Sequence, residues 1–402
     1  MRIRRWPGAL LLTAASVLAT EGALQFISHH VYAIERLLSA SGTIPLNVPD
    51  SLLDVRGNSR WPDHDSRGFR NARAVERADV VTIGDSHTYG VGVDRSHTWP
   101  YLLGVNTGLV TYNISFGGWS PGQGFVVLNQ ALLLQPSTVV FGLYLGNDLL
   151  DVFKFVGRRP GLWHYLPPAL KDTAAALEST DPIADRVRFL FALGDTTTQG
   201  SPGPVRRYLS SHSKLYGLAR AVRRSIHPAQ DTAPAILSRN MDQSLAGMTA
   251  RQRSFVSVYR GADWQTLLTP KYRNLVMDVG DPRIRAGLNA TEGLLASMDS
   301  TCRRQQIRFL VVILPTKESV FASRIRDTGK YESLDSMVSN ERRIRVELVA
   351  WLEDHHVEVL DVVPALVQSI AQPYFENVDG HPNEVGHQVI ANAVTARLRL
   401  AE

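Results

Sequence analysis

Two stretches far apart in this chain hold side chains whose types suit acyl transfer. The first is Val80-Val81-Thr82-Ile83-Gly84-Asp85-Ser86-His87-Thr88. Its four leading apolar or β-branched residues predict a short buried strand. The Gly-Asp-Ser turn would then present Ser86 at the strand's carboxyl end, with Gly84 free to take backbone angles that a Cβ disfavours. In open α/β sheets ligands bind at that end. A serine is a weak nucleophile until a base takes its proton and donors hold the oxyanion. The second stretch, Asp379-Gly380-His381-Pro382-Asn383, supplies such a base just before the last expected helix. A histidine titrates near neutrality, and a carboxylate beside it can hold its tautomer and stabilise the imidazolium. Taken alone, Asp85-Ser86 fits a polar turn or a helix cap equally well.

The remaining histidines show no comparable pattern. His29-His30 and His355-His356 are adjacent pairs without metal-ligand spacing, and His387 falls on the terminal helix; all read as structural or solvated. The single cysteine, Cys302, excludes an intrachain disulfide framework and a multi-thiolate metal site. No cofactor or metal is expected.

The elements needed to position these residues follow from periodicity. After Ser86, Thr98-Trp99-Pro100 starts a helix with Thr98 as its cap. Strands are expected at 109–114 and 138–145, the second ending in Gly146-Asn147-Asp148, with helical spacing of Phe125, Leu128 and Leu132 between them. The pattern returns late: a helix at 283–304, a strand at 307–314 closed by Pro315, a helix at 338–354, a strand at 357–360 and a final helix from Glu384. Such alternation predicts a parallel sheet covered by helices. The fold class is therefore α/β, three layers around a central parallel sheet. The 402 residues, 44% hydrophobic and 20% charged, suit one large domain with an insertion or two domains.

Four segments are expected. Residues 1–28 form a signal or membrane-anchor segment, 29–75 an irregular lead-in, 76–155 with 281–402 the catalytic domain, and 156–280 a mostly helical, basic insertion. Met1-Arg2-Ile3-Arg4-Arg5 is basic, and Trp6 to Ile27 carries one charge, Glu21. Such a stretch is a secretory signal, cleaved near Val17-Leu18-Ala19, or an anchor that stays in the membrane. The basic end remains cytoplasmic, so the body faces outward. The insertion has 17 Lys+Arg against 9 Asp+Glu, so the basic excess of the whole chain lies there. Arg206 to Arg224 is its densest part, either a solvated cationic face or a surface for anionic polysaccharide or lipid headgroups. An exported chain gives no reason to expect nucleic acid.

Gly84-Asp85-Ser86, Gly118, Gly146-Asn147-Asp148 and Asp379-Gly380-His381-Pro382 resemble, in order and spacing, the four sequence blocks of the SGNH (GDSL-like) hydrolases. The resemblance covers roughly 65–155 and 280–400. It implies a flavodoxin-like SGNH fold, Ser86 as nucleophile, His381 as general base and Asp379 as its orienter. It also implies an oxyanion hole from the Ser86 and Gly118 backbone N–H groups and the Asn147 side-chain amide. Two features depart from the family: the spacing Asp379-x-His381 in place of Asp-x-x-His, and His87 after the serine. His87 is expected as a pocket-lining or partly exposed helix residue. No Gly-x-Ser-x-Gly elbow is present, which argues against the α/β-hydrolase fold.

The N-terminal segment, the Ser-Arg-Gly-Phe-Arg lead-in, Thr98-Trp99-Pro100 and Leu314-Pro315-Thr316-Lys317-Glu318 are similar to membrane-anchored bacterial members of that family, some of them like cell-envelope O-acetyltransferases. Lys317 is expected at the surface, or approaching substrate from a strand end. The activity implied is hydrolysis of O-acyl, above all O-acetyl, esters on a cell-envelope carbohydrate. Transfer of acetyl to a glycan, lipid ester or thioester hydrolysis, and a glycan-binding protein with an idle site are the alternatives.

Overall fold

The computed structural model describes residues 6–30, 45–171, 209, 213–219 and 239–400. They fall in two compact units, 1–48 with 60–62 and 194–232, and 49–59 with 63–193 and 233–402.

The larger unit is built on five parallel strands: β1 (Val80–Gly84), β2 (Thr111–Ser115), β3 (Thr138–Tyr144), β4 (Arg308–Leu314) and β5 (Glu358–Asp361). Their order is β2-β1-β3-β4-β5. β1, β3 and most of β4 are near-continuous apolar runs because both of their faces are covered. Alternate side chains enter different cores. Val81, Ile83, Phe141, Leu143, Val311 and Ile313 share one cluster, while Val80, Val140, Tyr144, Leu310, Val312 and Leu314 share the other.

Helices close each face. With α1 as Trp6–His30 and α2 as Ser86–Tyr89, the covering helices are α3 (Trp99–Thr107), α4 (Pro121–Leu132), α5 (Asp148–Gly157), α6 (Pro270–Val276), α7 (Pro282–Arg304), α8 (Lys317–Ala322), α9 (Leu334–Asp354) and α10 (Glu384–Arg399). α4, α7 and α9 bury Leu128, Leu295 and Leu348 in the first cluster. α3, α8 and α10 bury Leu103, Phe321 and Val394 in the second. The result is the three-layer α/β/α arrangement. The strand order reverses direction between β1 and β3, and the crevice at such a reversal, beyond the carboxyl ends, is where this architecture binds ligands.

The sequence boundaries hold within a few residues. Thr98 caps α3 through the Tyr101 N–H. A two-stranded antiparallel pair, Ser257–Arg260 with Gln265–Leu268, was not expected inside the insertion. Its strands are four residues each, too short to show a period. Residues 172–208, 210–212 and 220–238 of the insertion, with the bulk of Arg206 to Arg224, lie outside the described residues.

In the smaller unit α1 forms over most of the expected segment. Glu21, the one charge in it, has a structural task. Its carboxylate accepts from Ser213 Oγ at 2.9 Å and from the N–H groups of Lys214 and Leu215 at 2.7 and 2.9 Å, where a helical stretch begins. Unpaired N–H groups at a helix start need such an acceptor. Among the described residues no helix is long and apolar enough to cross a membrane.

Candidate active site

From Val80 to Gly90 every residue is buried except Ser86. Asp85, extended at φ −91°, accepts the His87 N–H at 2.9 Å and caps α2. The helix thus begins directly at the strand end, with Ser86 as its first residue. The capping reading of Asp85 is realised, and Ser86 stands at the carboxyl end of β1, where the sequence placed it. Gly84 is needed for a different reason from the one expected. Its φ is not positive; a Cβ there would lie 2.2 Å from Thr88 Oγ1 and 2.8 Å from the Gly142 carbonyl oxygen. Close packing of α2 on β1 and β3 demands the glycine.

The other half arrives from the loop before α10. The Asp379 carboxylate takes the His381 ring Nδ1 at 2.5 Å and the His381 backbone N–H at 3.0 Å. The two-residue spacing therefore does not turn the carboxylate away, because an Asx-type turn folds it back over the histidine. With Nδ1 held, Nε2 is the nitrogen left to act as base. The His381 and His87 ring centroids are 4.6 Å apart, which sets His381 beside the Ser86 turn. Burial pushes the Asp379 pKa up. The charge of His381, both bonds to it and the Lys317 ammonium outweigh that and hold it well below the usual carboxylate range.

The loops expected to supply the oxyanion donors follow β2 and β3. A Cβ on Gly117 would lie 3.8 Å from Ser86 Cβ, so the 116–119 loop passes directly over the serine. Gly118 sits at φ +80°, a left-handed conformation that favours glycine. Neither the Gly118 nor the Ser86 N–H has a hydrogen-bond partner among the described residues. Asn147 opens α5, and its side-chain amide donates to the Asp151 carboxylate one turn on. That contact fixes the amide's direction and leaves its second N–H available.

His87 is neither pocket-lining nor partly exposed. It is buried, stacked on Tyr144 at 3.6 Å, with Nδ1 3.3 Å from Asp85 Oδ2. Burial holds its pKa below the ordinary histidine value, with the charges of His381 and Arg273 adding to that against Asp85. The same Asp85 oxygen accepts the Ser86 hydroxyl at 3.2 Å. Burial would raise the Asp85 pKa, but His87 through its charge and two bonds, and His381 through its charge, bring it below the usual value, so it is ionised. Asp148, behind it, is the reverse: burial and the nearby Asp85 charge raise its pKa far above the carboxylate range. The two buried carboxylates, Asp85 and Asp148, are thus shifted in opposite directions.

Two cations were missed or misplaced. Lys317 is 1% exposed, not a surface residue, and its ammonium donates into the backbone of the 375–379 loop. Arg273, from the end of the insertion, donates to the Gly146 carbonyl oxygen at 3.2 Å; its Nη2 would touch any side chain on Gly380, 2.4 Å from the Cβ position. The signals for these residues are long-range backbone contacts, which no local pattern encodes. His387 is structural, buried in α10 and accepting the Trp99 N–H.

Structures similar in part to this chain include a GDSL-like lipase from Bacteroides thetaiotaomicron (10% identity, TM-score 0.34, covering 81% of this chain and 89% of that one). An extracellular lipase from Streptomyces rimosus (14%, 0.33, covering 80% and 99%) and a phospholipase A1 from Streptomyces albidoflavus (11%, 0.34, covering 80% and 99%) are others. No family model and no curated protein matches. Likeness this low assigns neither family nor activity.

Proposed function

We propose that this chain is a serine ester hydrolase of the SGNH type. The observation that carries the reading is the Asp379-held imidazole of His381 beside Ser86, the one residue of the 80–90 stretch that is not buried. In the reaction Ser86 Oγ leaves its contact with Asp85, passes its proton to His381 Nε2 and attacks the ester carbonyl. The oxyanion faces the Ser86 and Gly118 N–H groups and the Asn147 amide. His381 then returns the proton to the departing alcohol, and water, deprotonated by the same nitrogen, releases the acid from Ser86.

The substrate class within that reading is O-acyl, above all O-acetyl, esters of a cell-envelope carbohydrate. Its support is the basic, then apolar N-terminus, a pattern that fits a secretory signal or a single anchor and hence a body outside the cytoplasm. O-acetyl transfer to a glycan uses the same residues with a sugar hydroxyl in place of water. Turnover of p-nitrophenyl acetate, and labelling by a fluorophosphonate that is lost in Ser86→Ala, test the nucleophile. Labelling that persists in Ser86→Ala defeats the assignment. Product analysis with an acetyl donor and a glycan acceptor separates hydrolysis from transfer, and fractionation of the full chain tests the location.

A further inference from the structure

Lys317 is the first residue of α8, after the cap Thr316. A cation in the first turn of a helix opposes the macrodipole, and burying an ammonium costs more still. Neither local helix preference nor solvation explains a lysine there. Its partners do. Nζ donates to the carbonyl oxygens of Asn377 at 2.6 Å, Asp379 at 2.8 Å and, more weakly, Phe375 at 3.4 Å. Three donors meet three carbonyls of one irregular loop, where Phe375 also accepts from the Thr266 hydroxyl and Glu376 from the Leu267 N–H. That loop ends in the Asp379–His381 pair.

We propose that Lys317 is a positioning residue for the ester hydrolase reaction, folding the 375–379 loop around its ammonium so that Asp379 presents His381 to Ser86. The proposal rests on the hydrolase reading for its kinetic consequences and on geometry alone for its structural ones. Removing the ammonium takes one donor from each of these carbonyls, of which Phe375 keeps the Thr266 hydroxyl at 2.9 Å, and the loop relaxes to solvate the lost bonds. A shift of about 1 Å in a catalytic group is enough to cost roughly 10²-fold in rate.

The charged groups facing Lys317 are Glu318 on its own helix, Asp379 on the loop and Arg273 on α6; Glu341 on α9 holds the neighbouring Thr316 and Ser319. Burial lowers the ammonium's pKa to about 8, with Arg273 adding to that and Glu318 and Asp379 opposing it. As pH rises through that value three donors become two, and Asp379 loses a neighbouring cation. The loop's hold weakens on the alkaline side.

The test compares the full chain with Lys317→Met and Lys317→Gln by ester turnover against pH and by hydrogen exchange. The expected result for Lys317→Met is a kcat lower by roughly 10²-fold with KM nearly unchanged. The Asp379, His381 and Asn383 amides exchange faster while the sheet amides do not. A fall in wild-type kcat near pH 8 is missing from the variant. Lys317→Gln, able to donate two bonds, falls between the two and carries the comparison where Lys317→Met does not fold. In the wild type alone, loop exchange corrected for its intrinsic pH dependence rises between pH 7 and 9. A kcat within threefold of wild type, or loop exchange unchanged in the variants, overturns the proposal. A wild type that neither turns over the ester nor labels at Ser86 removes the hydrolase reading instead, and the exchange comparison still decides whether Lys317 holds the loop.

Discussion

The imidazoles of His87 and His381 lie 4.6 Å apart, and each is backed by an aspartate two residues earlier in the chain. The two pairs are not equivalent. His381 is bound to its carboxylate at 2.5 Å and is 22% exposed; His87 is bound at 3.3 Å, buried, and covered by Tyr144. Only His381 has a nitrogen that can reach incoming substrate.

His381→Ala is therefore expected to lower kcat by roughly 10²- to 10⁴-fold, the usual worth of a positioned base. His87→Phe, which keeps a ring against Tyr144, is expected to lower kcat less than tenfold. It leaves the Asp85 carboxylate without its ring partner and costs about 1–3 kcal/mol of stability. Steady-state kinetics with urea denaturation of both proteins checks the pair. Equal losses of kcat would make His87 part of the reaction.

Asn147→Ala is expected to lower kcat by roughly 10²- to 10³-fold with little change in KM, since an oxyanion donor acts in the transition state. Asp151→Ala frees the amide without removing it, and its effect on kcat is smaller in the same direction. A rise in KM at constant kcat would place Asn147 in ground-state binding.

Asp379 and Asp148 predict opposite pH dependences. The Asp379 pKa is depressed in the folded chain, so its contribution is complete above about pH 4 and is lost as pH falls through the lower native value. The stability gap between wild type and Asp379→Asn is therefore widest near neutrality and closes in acid. The Asp148 pKa is raised, so above about pH 4 the unfolded chain loses a proton that the folded chain keeps, and stability falls as pH rises. Asp148→Asn keeps an acceptor for the Tyr144 N–H, which now bonds Asp148 at 3.0 Å, and removes that loss. Its midpoint at pH 7 is expected at or above wild type, with a shallower pH slope. Thermal melts from pH 3 to 8 measure both.

The strands and the four loops that carry Ser86, Gly118, Asn147 and His381 were legible in the sequence. Buried parallel strands are apolar runs, and their exits are glycine and small polar residues. What periodicity cannot encode is a contact between a side chain and distant backbone. Lys317 bonding the Asp379 carbonyl, and Arg273 bonding that of Gly146, depend on where loops cross in space. The role of Gly84 was misread for the same reason: its neighbour Thr88 is close in sequence, but the Gly142 oxygen that also excludes a Cβ comes from β3.

Arg273 gives the last prediction. It lies between the loop before Asn147 and the loop bearing His381, touching Gly146 and Gly380, with its Nε 3.8 Å from the Glu318 carboxylate. Both members of that pair are buried. Arg273→Ala would leave the enclosed Glu318 carboxyl without its cationic neighbour, which costs about 3–5 kcal/mol where a buried pair is broken from one side. Arg273→Lys keeps the charge but not the planar reach to both glycine loops. If the guanidinium only neutralises Glu318, Arg273→Lys recovers both stability and kcat. If it also sets the spacing between the Asn147 and His381 loops, as the two contacts indicate, Arg273→Lys recovers stability while kcat stays depressed by roughly tenfold or more, the cost of misplacing groups by a fraction of an ångström. Melting temperature and kcat measured on the same two variants separate these outcomes.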